Sequence, residues 1–169
     1  QLTGSIPSLS GLTALQSFTA SDNPLAGSIP ALSGLSALEQ FDVNSNALTG
    51  AIPALSGLTA LRAFYVETNQ LTGAIPSLSA LRFLEDIRVN DNLLTGAVPA
   101  APTTLLAGMS NLCSNNLVSS GNAAVDAAWV AAQNASRSSG GGAGGKWVAC
   151  QLSTSPVTGD TTAQVALPS

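Results

Sequence analysis

Residues 48–70 read LTGAIPALSGLTALRAFYVETNQ, and this 23-residue sentence recurs through the first two-thirds of the chain. Its opening phrase stands at Leu2, Leu25, Leu48, Leu71 and Leu94. Leu12, Leu35, Leu58 and Leu81 keep step inside it, as do Leu15, Leu38, Leu61 and Leu84. Phe18, Phe41, Phe64 and Ile87 follow, then Ala20, Val43, Val66 and Val89, and last Asn23, Asn46, Asn69 and Asn92. A unit this short cannot close a core alone, so it stacks on its neighbours and buries a continuous apolar column. The period therefore predicts a solenoid.

Each position carries a physical task. The alternation Phe41, Val43 or Phe64, Val66 has the period of two of a short strand with one buried face. Stacked strands make a parallel sheet along one side of the coil. The following Asn sits where the chain turns inward, and its amide is placed to pair backbone groups that the turn leaves orphaned. Asn23, Asn46, Asn69, Asn92 and Asn115 thus read as a structural ladder. Proline after Ile29, Ile52 and Ile75 forces extended geometry on the isoleucine and bars a helix there.

The spacing L-x-x-L-x-L-x-x-N-x-L is that of the leucine-rich repeat. With the L-x-G-x-I-P phrase it resembles the plant-specific class, found in polygalacturonase-inhibiting proteins and receptor-like kinase ectodomains, over about residues 1 to 117. The resemblance implies an α/β solenoid: an arc with a parallel concave β-sheet, a second and shorter sheet, and short helical turns on the outer face. Stretches such as Leu32-Ser33-Gly34-Leu35-Ser36-Ala37-Leu38 supply those turns.

The fifth repeat decays. Ala100-Ala101-Pro102-Thr103-Thr104 replaces the turn, and Ser110 stands where Phe or Ile stood, while Leu112 and Asn115 keep register. The exposed end of a column needs a cover. Residues 122–134 are Ala-rich, with Val125, Ala128, Trp129 and Ala132 at helical spacing and Ser120 or Asn122 available as N-cap. Cys113 and Cys150, the two cysteines of the chain, bracket this helix and read as a disulfide, which places the protein in an oxidising compartment. A C-terminal helical disulfide cap follows, similar to the caps of secreted repeat proteins, including bacterial relatives of the plant-type class. The expected organisation is repeats over 1–117, a capping region over 118–152 and a linker-like tail over 153–169. The start at Gln1, inside a repeat and without an N-terminal cap, suggests part of a longer protein.

Composition narrows the function. The chain has 169 residues, a net charge of −4, 8% charged residues and no histidine. Without histidine there is no Ser-His or Cys-His nucleophile pair, and an open arc offers no cleft for paired glycosidase acids. Two cysteines alone make no ordinary zinc site, and no metal or cofactor is expected. Gly140 to Lys146 matches a phosphate-loop spacing, but Trp147 stands where Ser or Thr must hold magnesium, so the stretch reads as a flexible loop. The negative charge disfavours nucleic acid, and no apolar run reaches the length of a membrane span.

Nine of the fourteen charged residues fall on outward positions of the strands: Asp22, Glu39, Asp42, Arg62, Glu67, Glu85, Asp86, Arg88 and Asp91. The other faces carry mostly Ser, Thr, Gly and Ala. A stiff sheet with variable polar residues is a natural recognition platform. Its expected partner-binding residues are Asp42, Arg62, Tyr65, Glu67, Asp86 and Arg88. Tyr65, beside Arg62, Glu67, Arg88 and Asp86 on adjoining strands, is the best single anchor. Tyr65 and Arg88 are both taken to point outward and to support no part of the column. The expected protein is a non-enzymatic, secreted or cell-surface module that binds a protein or peptide. The family makes a cell-wall hydrolase, a peptide signal or a receptor plausible partners. Two rivals stand beside this reading. One is a structural or adhesive spacer in a larger secreted protein. The other is an ice- or polysaccharide-binding surface along Thr3, Thr49, Thr72 and Thr95, a row interrupted by Ala26.

Overall fold

The computed structural model describes residues 1–133 and 150–151. Two parallel sheets wind around one apolar column. The first holds β1 (Ser17–Thr19), β3 (Gln40–Asp42), β5 (Ala63–Tyr65) and β7 (Asp86–Arg88), each paired with the next. The second holds β2 (Ala26–Ser28), β4 (Ala47–Ala51), β6 (Gln70–Gly73), β8 (Leu93–Ala97) and β9 (Asn116–Val118). A single helix, α1 (Ala123–Ala132), follows.

The two sheets use different registers. In the first, equivalent residues face each other, Phe18 with Phe41 and Phe41 with Phe64. Their rings stack at 5.4 and 5.6 Å between centroids, a rib of aromatic packing along the concave wall. In the second, Gly27 faces Leu48 and Gly50 faces Leu71, so each strand slips by two residues relative to the repeat. A slip of two preserves which side chains point inward. Leu48, Leu71 and Leu94 therefore stay buried, as do Ile29, Ile52 and Ile75. The resemblance implied a shorter second sheet. Instead it has the extra strand and the longer strands, because β9 continues past the point where the first sheet stops.

Gly50 and Gly73 lie at φ +77° and +76°, a left-handed conformation that explains the glycine of the L-x-G-x-I-P phrase. On the outer side, Leu35 and Leu38 donate their amides to Leu32 and Leu35, giving consecutive i→i−3 turns of 3₁₀ type. Leu58 and Leu61 repeat the pattern.

The Asn ladder closes the inward turn. Asn69 Oδ1 accepts from the Leu48 amide at 2.9 Å. Its Nδ2 faces the carbonyls of Val43 at 3.0 Å and Val66 at 3.1 Å. Asn46, Asn92 and Asn115 make the same three contacts with their own neighbours. Asn23 reaches only Ala20 and Ser21 with its Nδ2. The residue before each ladder Asn is left-handed in every turn: Asp22, Ser45, Thr68, Asp91 and Ser114 have φ of 54 to 56°. None is glycine, so these five turns carry backbone strain that inter-repeat hydrogen bonds hold in place.

The C-terminal end is covered as expected in outline. Trp129 is fully buried, and its Nε1 donates to the Pro99 carbonyl at 2.8 Å. Asn122 is the N-cap, accepting from the amides of Ala124 and Val125. Trp129 and Ala132 face the column with Val125 beside them, but Ala128 is exposed, because the buried stripe is narrower than the sequence spacing implied. Cys113 and Cys150 are bonded. Trp147, the stretch from Gly140 to Lys146 and the tail 153–169 lie outside the described residues.

Candidate functional site

Side chains from two adjoining concave strands, β5 and β7, converge on Asp86. Tyr65 donates its hydroxyl to Asp86 Oδ2 at 2.9 Å. Arg88, two residues along β7, donates to the same oxygen at 2.7 Å. The Arg88 guanidinium also lies over the Tyr65 ring, 4.5 Å from its centroid. Asp86 is only 3% exposed. The sequence placed it on the open surface, but the ring and the guanidinium cover it. Tyr65 and Arg88 are consequently structural as well as outward-facing, since removing both strands a buried carboxylate.

Ionisation follows the packing. Burial, then the hydrogen bond and the charge of Asp86, push the Tyr65 hydroxyl up to about 12. Burial works against the Arg88 charge, but the Asp86 hydrogen bond together with the negative charge of Asp86, Tyr65 and Glu67 outweighs it and its pKa rises. Burial lifts Glu67 above the ordinary carboxylate value, opposed by its own backbone amide and Arg88, and reinforced by Asp42 and Asp86. Glu67 Oε2, Asp86 Oδ1 and Arg88 Nε are buried without a hydrogen-bond partner, which adds to the cost of the cluster. Asp42 is one strand over from Tyr65, where its Oδ1 accepts from Asn44 Nδ2 at 2.7 Å.

Arg62 belongs to a different group. It lies between Glu39 at 4.0 Å and Glu85 at 2.6 Å, at the start of the strands. The structure therefore divides the six expected partner residues into a Tyr65–Asp86–Arg88 cluster with Glu67 and Asp42 around it, and a separate Arg62 network. Among the described residues no three Asp, Glu, Cys or His converge to hold a metal, and no helix is long and apolar enough to cross a membrane.

The Thr row lies on the second sheet, and all of Thr3, Ala26, Thr49, Thr72 and Thr95 are exposed. The two-residue slip breaks it laterally. Thr49 pairs with Ser28 and Gln70, and Thr72 with Ala51 and Leu93. The row thus runs diagonally among unlike neighbours.

No protein-family model matches the chain, and no curated protein matches it. Solved structures do. The plant peptide hormone receptor RGFR1, in complex with RGF2, is 37% identical over 68% of this chain and 19% of that one, with a TM-score of 0.59. The chain is a plant-type leucine-rich repeat protein. The LRR ectodomain of the receptor kinase SOBIR1 from Arabidopsis thaliana is 30% identical, covering 70% of this chain and 65% of that one, at a TM-score of 0.58. A plant ice-binding protein is 35% identical over 69% of this chain and 39% of its own, at 0.59. This leucine-rich repeat chain thus spans under a fifth of the hormone receptor it resembles.

Two features of this leucine-rich repeat protein escape sequence reasoning. The left-handed residue before each ladder Asn carries no glycine to announce it. At the far end, Gln133 and Gln151 take over pairing of the column: Leu112 donates its amide to Gln133 Oε1 at 3.2 Å, and Gln151 Nε2 donates to the Leu112 carbonyl at 3.1 Å. Only the length of their side chains and their amide chemistry, shared with Asn, hint at this.

Proposed function

We propose that the concave face of this leucine-rich repeat segment binds an extracellular protein or peptide, without catalysis, in a secreted or cell-surface protein. The observation that carries the reading is the concentration of charge on the outward strand positions, nine of the fourteen charged residues of the chain. The likeness to RGFR1 in complex with RGF2 supports a peptide as one class of partner, and the Cys113–Cys150 bond supports an oxidising compartment.

The geometry favours a basic partner. Arg62 is matched by Glu39 and Glu85, and Arg88 by Asp86. Asp22, Asp42, Glu67 and Asp91 form no ion pair among the described residues. Peptides selected from a random display library on the immobilised chain should be rich in Lys and Arg, and should associate faster at low salt. Asp42→Asn with Glu67→Gln should weaken them at least tenfold, whereas Ser36→Arg on the outer turn should not. Selected peptides that ignore the concave pair but are lost with Ser36→Arg contradict the reading.

A second reading, ice binding along the exposed Thr row, is favoured by the likeness to a plant ice-binding protein. Thermal hysteresis lost in Thr49→Lys with Thr72→Lys supports it. The lateral mismatch of that row ranks it below the concave face.

A further inference from the structure

The outer turns depart from their own repeat at one corner. Their pair of small residues, exposed or half-buried, reads Thr13-Ala14, Ser36-Ala37 and Thr59-Ala60, then becomes Arg82-Phe83 in the fourth turn. Leu106 stands one period after Phe83 in the sequence, although the altered fifth turn brings its amide to the Glu85 carbonyl. Phe83 is 53% exposed and Leu106 49%. Three turns fold with alanine at this position, so the column does not require the larger side chains. Large apolar groups held in solvent beside small ones mark a contact surface more often than a packing need.

Charge sets the kind of partner. Arg82 and Phe83 wall a shallow cavity of about 460 Å³ whose remaining lining is Thr59, Ala60, Ser79 and Ala80, all uncharged. Arg62 lies over the Phe83 ring at 5.7 Å, with its own charge met by Glu39 and Glu85. Arg82 is the one described arginine with no carboxylate within ion-pair distance. On a chain of net charge −4 it is an isolated cation beside an open aromatic ring.

We propose that this corner docks an acidic, apolar segment of a second protein, with a carboxylate on Arg82 and an apolar side chain in the cavity against Phe83. Arginine and aromatic residues are the side chains that most often anchor interfaces, and a guanidinium matches a carboxylate in a two-pronged geometry. The surface is distinct from the concave face and opposite to it in preferred charge.

The test uses the full chain, isotope-labelled, and two peptides: N-acetyl-Leu-Asp-Phe-Glu-Leu-amide and its uncharged counterpart N-acetyl-Leu-Asn-Phe-Gln-Leu-amide. The acidic peptide is expected to shift the amides of residues 59–60 and 79–83 saturably, and to bind at least tenfold more tightly than the uncharged one. Arg82→Thr with Phe83→Ala rewrites the fourth turn as the third, so it keeps the fold, and should cost at least tenfold in affinity. The proposal is overturned by the absence of saturable shifts, by equal binding of the two peptides, by undiminished binding to the double variant, or by shifts centred on the concave strands.

Discussion

In the middle of the column, the Val89 amide donates to the backbone carbonyl of Asn111, and the Val89 carbonyl accepts from Asn92 and Asn115. One repeat later Leu112 occupies the same place at the end of the stack. Its amide is met by the Gln133 side chain and its carbonyl by Asn115 and Gln151. The neighbouring Ser114 amide reaches the Cys150 carbonyl at 2.8 Å, as Asp91 reaches Cys113 within the column. The cap therefore fills the hydrogen-bonding groups that a sixth repeat would fill, with residues that follow no period. An unpaired backbone group is costly wherever it is buried, so the end of a solenoid demands the same pairing as its middle. Repetition is one way to supply it.

The largest test removes the clamp that holds the imitation in place. Cys113→Ser with Cys150→Ala opens a crosslink of 37 residues' separation and should lower unfolding stability by about 4 kcal/mol in the chain-entropy picture. Urea unfolding measures this, and a loss below about 1 kcal/mol means that the cap stays seated without its bond.

Asn69→Ala in the ladder and Gln133→Ala in the cap should each cost about 1–3 kcal/mol, because both leave buried backbone groups unmet. Asn23→Ala should cost less than Asn69→Ala, since Asn23 lacks the acceptor from a preceding turn. If Gln133→Ala behaves like an exposed serine substitution, the cap does not continue the ladder.

A smaller effect separates strain from pairing. Thr68 is β-branched and held at φ 55°. Thr68→Gly should raise stability by about 0.5–1 kcal/mol, as the left-handed penalty exceeds the entropy that glycine loses on folding. A destabilised variant assigns the Thr68 side chain a packing role.

The smallest expected change concerns pH. Glu67 has a raised folded pKa, so the fold favours its protonated form, and that stabilisation is lost as pH rises through the folded value. Glu67→Gln should therefore melt higher than the parent at pH 7, with the difference shrinking as pH falls toward the ordinary glutamate value of 4.5. A difference independent of pH rules out ionisation of Glu67 as its cause.

Legibility in the sequence tracks the same division. The period at Leu48, Phe64, Val66 and Asn69 was enough for the column, and the cysteine pair and the helical spacing around Trp129 for the cap, because each states its constraint in residue type and spacing. The roles of Gln133, Gln151 and the left-handed Thr68 were not legible, since each depends on where the backbone has gone and not on a repeated residue type. On the concave face, outward position was readable and exposure was not. Asp86 alternates like its neighbours, yet Tyr65 from the adjoining strand and Arg88 from its own close over it. Partnership among exposed side chains is a property of neighbouring strands, which a single repeat does not encode.

The buried repeat positions build the column, and in the function proposed above the concave strands recognise the partner. The most direct measurement is an amide chemical-shift map of the labelled chain with a library-selected basic peptide. Shifts confined to residues 40–45, 63–68 and 86–91 are the expected result. Shifts that peak on the second sheet, at 49–51, 72–74 and 95–97, or on the outer turns contradict it.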